Sequence, residues 1–135
     1  MKKINYPLVE YPFSKEDINS GRKILSFGKF ITMNKITKEF ERKFAKYIGS
    51  KYALMVNSGS SALILGLNAL NFKKGSEIIT PCLNFGTAVS SIMLSNLKPI
   101  LVDCDKETLQ IDVKKIEKKI TKKTVAILVH NLIDG

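Results

Sequence analysis

The stretch that decides the fold is "MVNSGSSALILGLNAL", from Met55 to Leu70. Apolar residues run into the polar segment Asn57–Ser61 and then recur at helical spacing, with leucines on one stripe. This pattern predicts a short strand at Tyr52–Val56 and a helix at Ser60–Leu70. A strand that turns directly into a helix through small residues is typical of an α/β protein.

The same alternation continues along the rest of the chain. Three more short apolar runs have the length and composition of strands, namely Glu77–Thr80, Pro99–Val102 and Val125–Val129. Helical spacing or capping residues predict helices at residues 14–26, 36–48, 85–95 and 112–120, with Gly49 ending the second. The sequence therefore predicts an α/β fold with three α/β/α layers and a mostly parallel sheet.

The composition is that of an ordinary globular domain. The 135 residues are 44% apolar and 25% charged, which allows one domain with a real core. No apolar run approaches the roughly 18 residues of a membrane span, and the first residues lack the apolar run of a signal peptide. We therefore expect no membrane partner and a cytoplasmic location. Cys82 and Cys104 are expected to be buried reduced thiols, because their spacing fits neither a metal site nor a disulfide framework.

The net charge of +10 suggests an anionic partner, such as a nucleic acid, an anionic lipid surface or a phosphorylated small molecule. The lysines, however, are dispersed along the chain. The densest runs, Lys114–Lys119 and Lys122–Lys123, have the spacing of a solvated helix face and its exit. Because no RNA- or DNA-binding motif accompanies them, we expect no nucleic-acid partner.

Four predicted strands lead into polar or aromatic segments, at residues 57–61, 81–85, 103–105 and 130–134. In open α/β sheets ligands bind at the carboxyl ends of the strands, so these segments are candidates for one site. A lone histidine at a strand end, His130, is more often structural than catalytic. Asp103 and Asp105 lack the further ligands of a metal site, so we expect them to cap a turn and expect no metal.

The first of these segments stands at the mouth of a helix. Unpaired backbone N–H groups and the helix dipole favour a phosphate there. Gly59 permits close approach, and Ser60 and Ser61 add hydroxyl donors. The residues alone leave an alternative equally open, in which Ser58 or Ser60 simply caps the helix. At the next helix mouth, Phe85 either covers a flat ligand ring or, as the residues alone favour, belongs to the core.

Two long stretches resemble the DegT/StrS family of pyridoxal-phosphate (PLP) enzymes, "TMNKITKEFERKFAKYIGSKYALMVNSGSSAL" and "GSEIITPCLNFGTAVSSIMLSNLKPILVDCDKETLQIDVKKIEKKITKKTVAILVH". The resemblance runs from about Tyr11 to the last residue. Its motifs follow the family's order: Phe40-Glu41, Phe44-Ala45, Asn57-Ser58-Gly59, Gly75, Pro81, Phe85, Pro99, Val102-Asp103 and Val129-His130. Family members have aminotransferase fold type I and act on nucleotide-linked sugars.

The resemblance implies a division of the chain and a cofactor site. Residues 35–135 would form the N-terminal part of the PLP-binding large domain. Residues 1–34 would form an N-terminal helix and a dimer or substrate segment at Phe27–Asn34. The family's phosphate loop falls on Gly59, Ser60 and Ser61, and its ring-stacking aromatic on Phe85. The Schiff-base lysine, or the histidine replacing it in the 3-dehydratases, is expected beyond Gly135, so no catalytic residue is expected within the chain.

The activity implied by the resemblance is transfer of an amino group from glutamate to a nucleotide-linked keto-sugar. The family context is a homodimer in cell-surface polysaccharide, lipopolysaccharide or deoxyamino-sugar biosynthesis. One alternative is a 3-dehydratase, since the Ser60-Ser61 pair replaces the commoner Thr-Ala and resembles that branch. Another is a non-catalytic fragment or assembly module.

Three further positions depart from the family pattern. Asn34, Ser76 and Asn84 stand where Gly, Asp and Thr are usual. Because asparagine tolerates positive φ better than most residues, we expect the turn at Asn34 to survive.

Overall fold

The computed structural model describes residues 12–26 and 32–130. They fall into two compact units, one ending at Leu54 and one beginning at Met55. No helix within the described ranges is long and apolar enough to cross a membrane.

The division after Leu54 lies later in the chain than the boundary expected between residues 34 and 35. The helix that ends at Ile48 buries only Ala45, whereas the apolar core is built from elements after Met55. The expected division into residues 1–34 and a PLP-binding part at residues 35–135 stays a prediction. Residues 1–11 and 27–31 lie outside the described residues, and the dimer or substrate role of that region stays a prediction.

The described part of the first unit contains two helices, α1 (Lys15–Ser26) and α2 (Lys35–Ile48). α1 begins where the sequence predicted. The Ser14 hydroxyl accepts a hydrogen bond from the Asp17 N–H (3.1 Å), and the Asp17 carboxylate accepts one from the Ser14 N–H (2.8 Å). This reciprocal pair satisfies two backbone donors at the helix start and fixes where α1 begins.

The two ends of α2 bear on two predictions. The C-cap at Gly49 is confirmed, whereas survival of the family's turn at Asn34 stays a prediction. Asn34 has φ −135°, not a positive value, because it serves as the helix N-cap. Its side-chain oxygen accepts a hydrogen bond from the Ile36 N–H at 3.0 Å. At the other end Gly49 adopts the left-handed conformation (φ 72°), as its predicted role as C-cap requires.

The second unit is a parallel α/β arrangement, as predicted. Its elements are α3 (Gly59–Ala69), β1 (Glu77–Pro81), α4 (Gly86–Leu94), β2 (Lys98–Val102), α5 (Val113–Glu117) and β3 (Thr124–Ile127). The three strands have the order β2-β1-β3, and both neighbours pair parallel to β1. Ile78 and Ile79 point to opposite faces of β1, and both are fully buried. The central strand is therefore covered on both sides.

The strand predicted at Tyr52–Val56 does not form within the described residues. A strand is defined by its ladder of hydrogen bonds, and apolar composition cannot supply a pairing partner. Neither of the strand ladders among the described residues includes this segment, and Tyr52 and Leu54 are exposed. Two other elements are shorter than predicted, since α5 ends at Glu117 and β3 ends at Ile127.

The buried core joins the helices to the sheet. Leu67 of α3, Ile78 of β1, Ile92 of α4 and Leu97 form one apolar cluster. Partly buried side chains pack against this cluster, namely Phe72, Ala126 and Leu128. α3 and α4 thereby acquire fixed positions against β1, and these positions determine where their amino ends lie.

A buried carboxylate, Glu77, lies at the amino ends of the strands. Glu77 is 6% exposed. Its oxygens accept hydrogen bonds from the Thr121 hydroxyl (2.6 Å) and the Lys98 ammonium (3.3 Å). The hydrogen bond from the Thr121 hydroxyl lowers the pKa of Glu77 below its ordinary value near 4.5, and the Lys98 ammonium lowers it further. Because the ionised form is favoured in the fold, Glu77 contributes stability above its unfolded pKa.

We expect Glu77→Gln to lower stability at neutral pH and to flatten its acid dependence. The wild-type contribution is complete above the ordinary glutamate pKa and is lost as pH falls through the depressed pKa, whereas the amide does not titrate. Thermal unfolding across the acid range measures both effects. Glu39→Gln is the matched control, because Glu39 pairs with Lys43 on the exposed face of α2. Parallel acid profiles of Glu77→Gln and wild type would contradict this role.

Candidate functional site

The amino end of α3 is capped by Ser58. Its backbone is extended (φ −162°, ψ 159°), and its hydroxyl accepts a hydrogen bond from the Ser61 N–H at 3.1 Å. The same hydroxyl donates to the Ser61 Oγ at 3.0 Å. Of the two capping residues that the sequence left open, Ser58 fills the role.

The cap leaves the first backbone donors of α3 available. Within the described residues, no group accepts a hydrogen bond from the N–H of Gly59 or Ser60. A Cβ added to Gly59 would meet no atom within 4 Å, so the space beside this residue is open. The hydroxyl groups of Ser60 and Ser61 can each donate a further hydrogen bond at this helix end. Capping and anion binding are thus compatible here, and the residues fit a phosphate group.

Phe85 occupies the corresponding position before α4. It is the N-cap residue, with an extended backbone (φ −68°, ψ 132°) and no side-chain capping bond. Its side chain is 75% exposed. The core interpretation favoured by the residues alone is therefore wrong for the described structure, and the ring is free to contact a ligand or another part of the protein.

The mouths of α3 and α4 open on the same edge of the sheet. The two helices pack against each other. Their carboxyl ends, at Leu67–Asn68 and Ser95, line one cavity of about 200 Å³, so the helices run in the same direction. Because α4 follows the carboxyl end of β1, both mouths lie at the carboxyl edge, where α/β proteins bind ligands.

A buried acceptor lies at the same edge. The Asn84 amide nitrogen donates to the Thr80 hydroxyl at 3.3 Å. The Asn84 Oδ1 atom is buried, and no described residue donates to it. Because buried polar atoms in proteins are nearly always paired, this oxygen is suited to a donor supplied by a ligand or by another part of the protein.

The ends of β1 and β2 hold a cluster that the sequence analysis missed. Cys82 is exposed and Cys104 half-buried. The expected burial of both thiols was wrong, because Cys82 follows the last residue of β1 and Cys104 lies beyond β2. Their sulfur atoms approach Asp103 Oδ1 at 3.6 Å and 3.9 Å.

Asp103 does not cap a turn as expected. Its Oδ2 atom accepts a hydrogen bond from Lys115 (3.1 Å), and Oδ1 accepts one from the Cys104 N–H (2.9 Å). The Lys115 ammonium, and secondly the Cys104 N–H, lower the pKa of Asp103. Lys115 also pairs with Asp112 at 3.5 Å and is thus more than part of a solvated face. The Asp112–Lys115 spacing of three residues was the available sequence signal.

Asp105 caps its turn as predicted. One carboxylate oxygen accepts hydrogen bonds from the N–H groups of Glu107 and Thr108, each at 3.0 Å. His130 is half-buried after β3, and its structural role stays a prediction.

Comparison with known proteins assigns the chain to a family. A model of the DegT/DnrJ/EryC1/StrS aminotransferase family matches residues 13–133. The chain is 39% identical over 136 residues to the GDP-4-keto-6-deoxy-D-mannose 3-dehydratase of Yersinia pseudotuberculosis, covering 96% of this chain and 34% of that protein. It is 43% identical over 95 residues to the GDP-perosamine synthase of Escherichia coli O157:H7, covering 70% of this chain and 26% of that protein.

A solved structure has the same fold. It is a GDP-4-keto-6-deoxymannose-3-dehydratase with a trapped PLP–glutamate geminal diamine, and it superposes with a TM-score of 0.83 at 37% identity. The superposition covers 93% of this chain and 34% of that chain.

The fold is thus that of PLP-dependent aminotransferases. The chain belongs to the DegT/DnrJ/EryC1/StrS aminotransferase family, as its motifs predicted. It spans about a third of the length of the 3-dehydratases it matches.

Proposed function

We propose that this chain holds the cofactor phosphate in a PLP-dependent aminotransferase that acts on a nucleotide-linked keto-sugar, with glutamate as amino donor. The observation that carries the proposal is the open mouth of α3, where the N–H groups of Gly59 and Ser60 have no partner among the described residues. The family relationship supports PLP as the anion. GDP-perosamine synthase and the PLP–glutamate adduct in the solved relative support the sugar substrate and the donor.

Within this proposal the chain's residues bind and orient the cofactor. The N–H groups of Gly59 and Ser60 and the hydroxyls of Ser60 and Ser61 would hold the phosphate, at the positive end of the α3 dipole. Phe85 would stack on the cofactor ring and orient it. When bound, PLP acts as an electron sink for the carbanion chemistry of amino acids. The residue that anchors PLP covalently is expected outside residues 1–135, as is the aspartate partner of the ring nitrogen.

A second candidate is a PLP-dependent 3-dehydratase of a nucleotide sugar. Two observations favour it: the Ser60-Ser61 pair, and the 39% identity to the Yersinia enzyme over 96% of this chain. The two reactions differ in what leaves the sugar. An aminotransferase replaces a carbonyl oxygen with nitrogen, whereas a 3-dehydratase removes the 3-hydroxyl as water.

The deciding experiment incubates the intact protein with PLP, ¹⁵N-glutamate and a nucleotide-linked 4-keto-6-deoxysugar. Label in the sugar product, read by mass spectrometry, supports the aminotransferase. An unlabelled product that has lost the 3-hydroxyl supports the dehydratase. Protein that retains PLP and yields neither product would contradict both assignments and favour a non-catalytic module.

Borohydride reduction of the PLP-loaded protein provides an independent test. An aminotransferase should yield one PLP-labelled lysine, which peptide mapping places outside residues 1–135. A dehydratase with histidine at that position should yield no stoichiometric adduct. A single labelled lysine within residues 1–135 would show that the anchoring residue has been misplaced.

We expect Phe85→Ala to weaken PLP binding about two- to tenfold, because a stacked ring contributes roughly 0.5–1.5 kcal/mol. The stability of the cofactor-free protein should change by less than about 0.5 kcal/mol, since the side chain is largely exposed. Dialysis equilibrium with PLP and denaturant unfolding measure the two effects. Leu83→Ala, in the same loop, is the matched control and should leave PLP affinity unchanged. A stability loss of about 3–5 kcal/mol with normal PLP affinity would instead indicate a core residue.

The family resemblance also suggests a cytoplasmic homodimer that serves polysaccharide biosynthesis. Size-exclusion chromatography with light scattering tests the dimer directly. A monomeric species with full activity would contradict it.

A further inference from the structure

Cys82, Asp103 and Cys104 converge where two neighbouring strands end. The register of the sheet pairs Pro81 of β1 with Val102 of β2, so the residues that follow lie side by side. The two sulfurs and one carboxylate oxygen all lie within 4.8 Å of one another. Residues twenty-one apart in sequence are thus gathered by backbone pairing rather than by flexible side chains.

The separations match those of ligands around a tetrahedral metal ion. With Zn–S near 2.3 Å and Zn–O near 2.0–2.2 Å, a sulfur and an oxygen ligand lie roughly 3.5–3.7 Å apart. The observed distances from Asp103 Oδ1 are 3.6 Å to Cys82 Sγ and 3.9 Å to Cys104 Sγ. Small side-chain adjustments would therefore suffice to enclose an ion.

The charges around the cluster are also suitable. A divalent cation with two thiolates and one carboxylate has a net charge of about −1. The Lys115 ammonium, 3.1 Å from Asp103 Oδ2, offsets that charge from the far side of the carboxylate. It also orients the carboxylate, as hydrogen-bonding partners of metal ligands do. From the described part of the chain, Asp103 Oδ1 accepts the Cys104 N–H and two weak thiol contacts, so a lone pair remains for a metal.

We propose that Cys82, Asp103 and Cys104 form a binding site for a thiophilic divalent cation such as Zn²⁺, with water in the fourth position. Cys82 is exposed, so an ion can enter without unfolding the chain. Binding displaces the thiol protons and leaves the metal's oxidation state unchanged. The site is independent of the proposed cofactor role, because it uses none of the residues at the mouth of α3.

The test uses intact, reduced, cofactor-free protein and Co²⁺ as a spectroscopic probe. Thiol titration first verifies that both cysteines are free. We expect one Co²⁺ per chain, with the visible absorption bands of tetrahedral thiolate coordination, and displacement by Zn²⁺. Cys82→Ser and Cys104→Ser should each abolish these bands. Lys115→Met should weaken Zn²⁺ binding about tenfold, as the loss of an orienting partner does.

Asp105→Asn is the matched control, because Asp105 lies beside the cluster but directs its carboxylate into its own turn. It should leave Co²⁺ binding unchanged. Absence of tetrahedral bands while both thiols titrate, or bands that persist in both serine variants, would overturn the proposal. Because the readout requires neither PLP nor turnover, its outcome is distinguishable from failure of the proposed function.

Discussion

Replacing Gly59 with valine should weaken PLP binding by the intact protein about 100-fold. We expect a β-branched side chain at the first position of α3 to block close approach of the phosphate to the N–H groups of Gly59 and Ser60. Hydrogen bonds to a charged group contribute about 1.5–3 kcal/mol each, so losing most of two such bonds costs roughly 3 kcal/mol. Equilibrium dialysis followed by PLP absorbance measures the affinity.

The substitution should leave the fold intact. An added Cβ at Gly59 meets no atom within 4 Å, and the residue lacks a positive φ. Gly66→Val is the matched control, because Gly66 lies about two turns further along the same helix and is equally open. It should retain wild-type PLP affinity. Equal PLP affinities of Gly59→Val and Gly66→Val would contradict the proposal that the phosphate binds at the amino end of α3.

Periodicity and capping residues predicted most of the fold. α3, α4 and α2 form where apolar residues recur at helical spacing, and three of four predicted strands pair in parallel. The segment Tyr52–Val56 shows why the fourth was wrong. Its apolar composition is that of a strand, but a strand also requires a neighbour, and pairing is a long-range property that one segment cannot reveal.

The candidate site was predictable only where local chemistry decides it. Small residues before a helix indicated an anion site at Gly59. The N–H groups of Gly59 and Ser60 have no partner among the described residues, and the phosphate role stays a prediction. The ion pair of Asp103 with Lys115 was not predicted, because it depends on how β2 and α5 come together. The exposure of Cys82 was not predicted either, because its expected burial rested on what is usual for free cysteines and not on its position directly after β1.

The packing of α4 against the core fixes where Phe85 lies at the carboxyl edge of the sheet. We expect Ile92→Ala to destabilise the protein by about 2–5 kcal/mol. Ile92 is fully buried and belongs to the cluster with Leu67, Ile78 and Leu97. Truncation removes apolar contacts from both the sheet and α3 and leaves a cavity that a close-packed core cannot fill without shifting. Denaturant unfolding of the cofactor-free protein measures the loss.

Met93→Ala is the matched control, since Met93 is the next residue of the same helix and is 61% exposed. It should cost less than about 1 kcal/mol, and equal losses for the two variants would contradict the packing described. PLP affinity separates packing from binding. Ile92 lies about two turns from Phe85, so folded Ile92→Ala protein should retain more PLP affinity than Phe85→Ala. If Ile92→Ala instead lost more PLP affinity than Phe85→Ala, the packing of α4 would matter more for PLP binding than the Phe85 ring does.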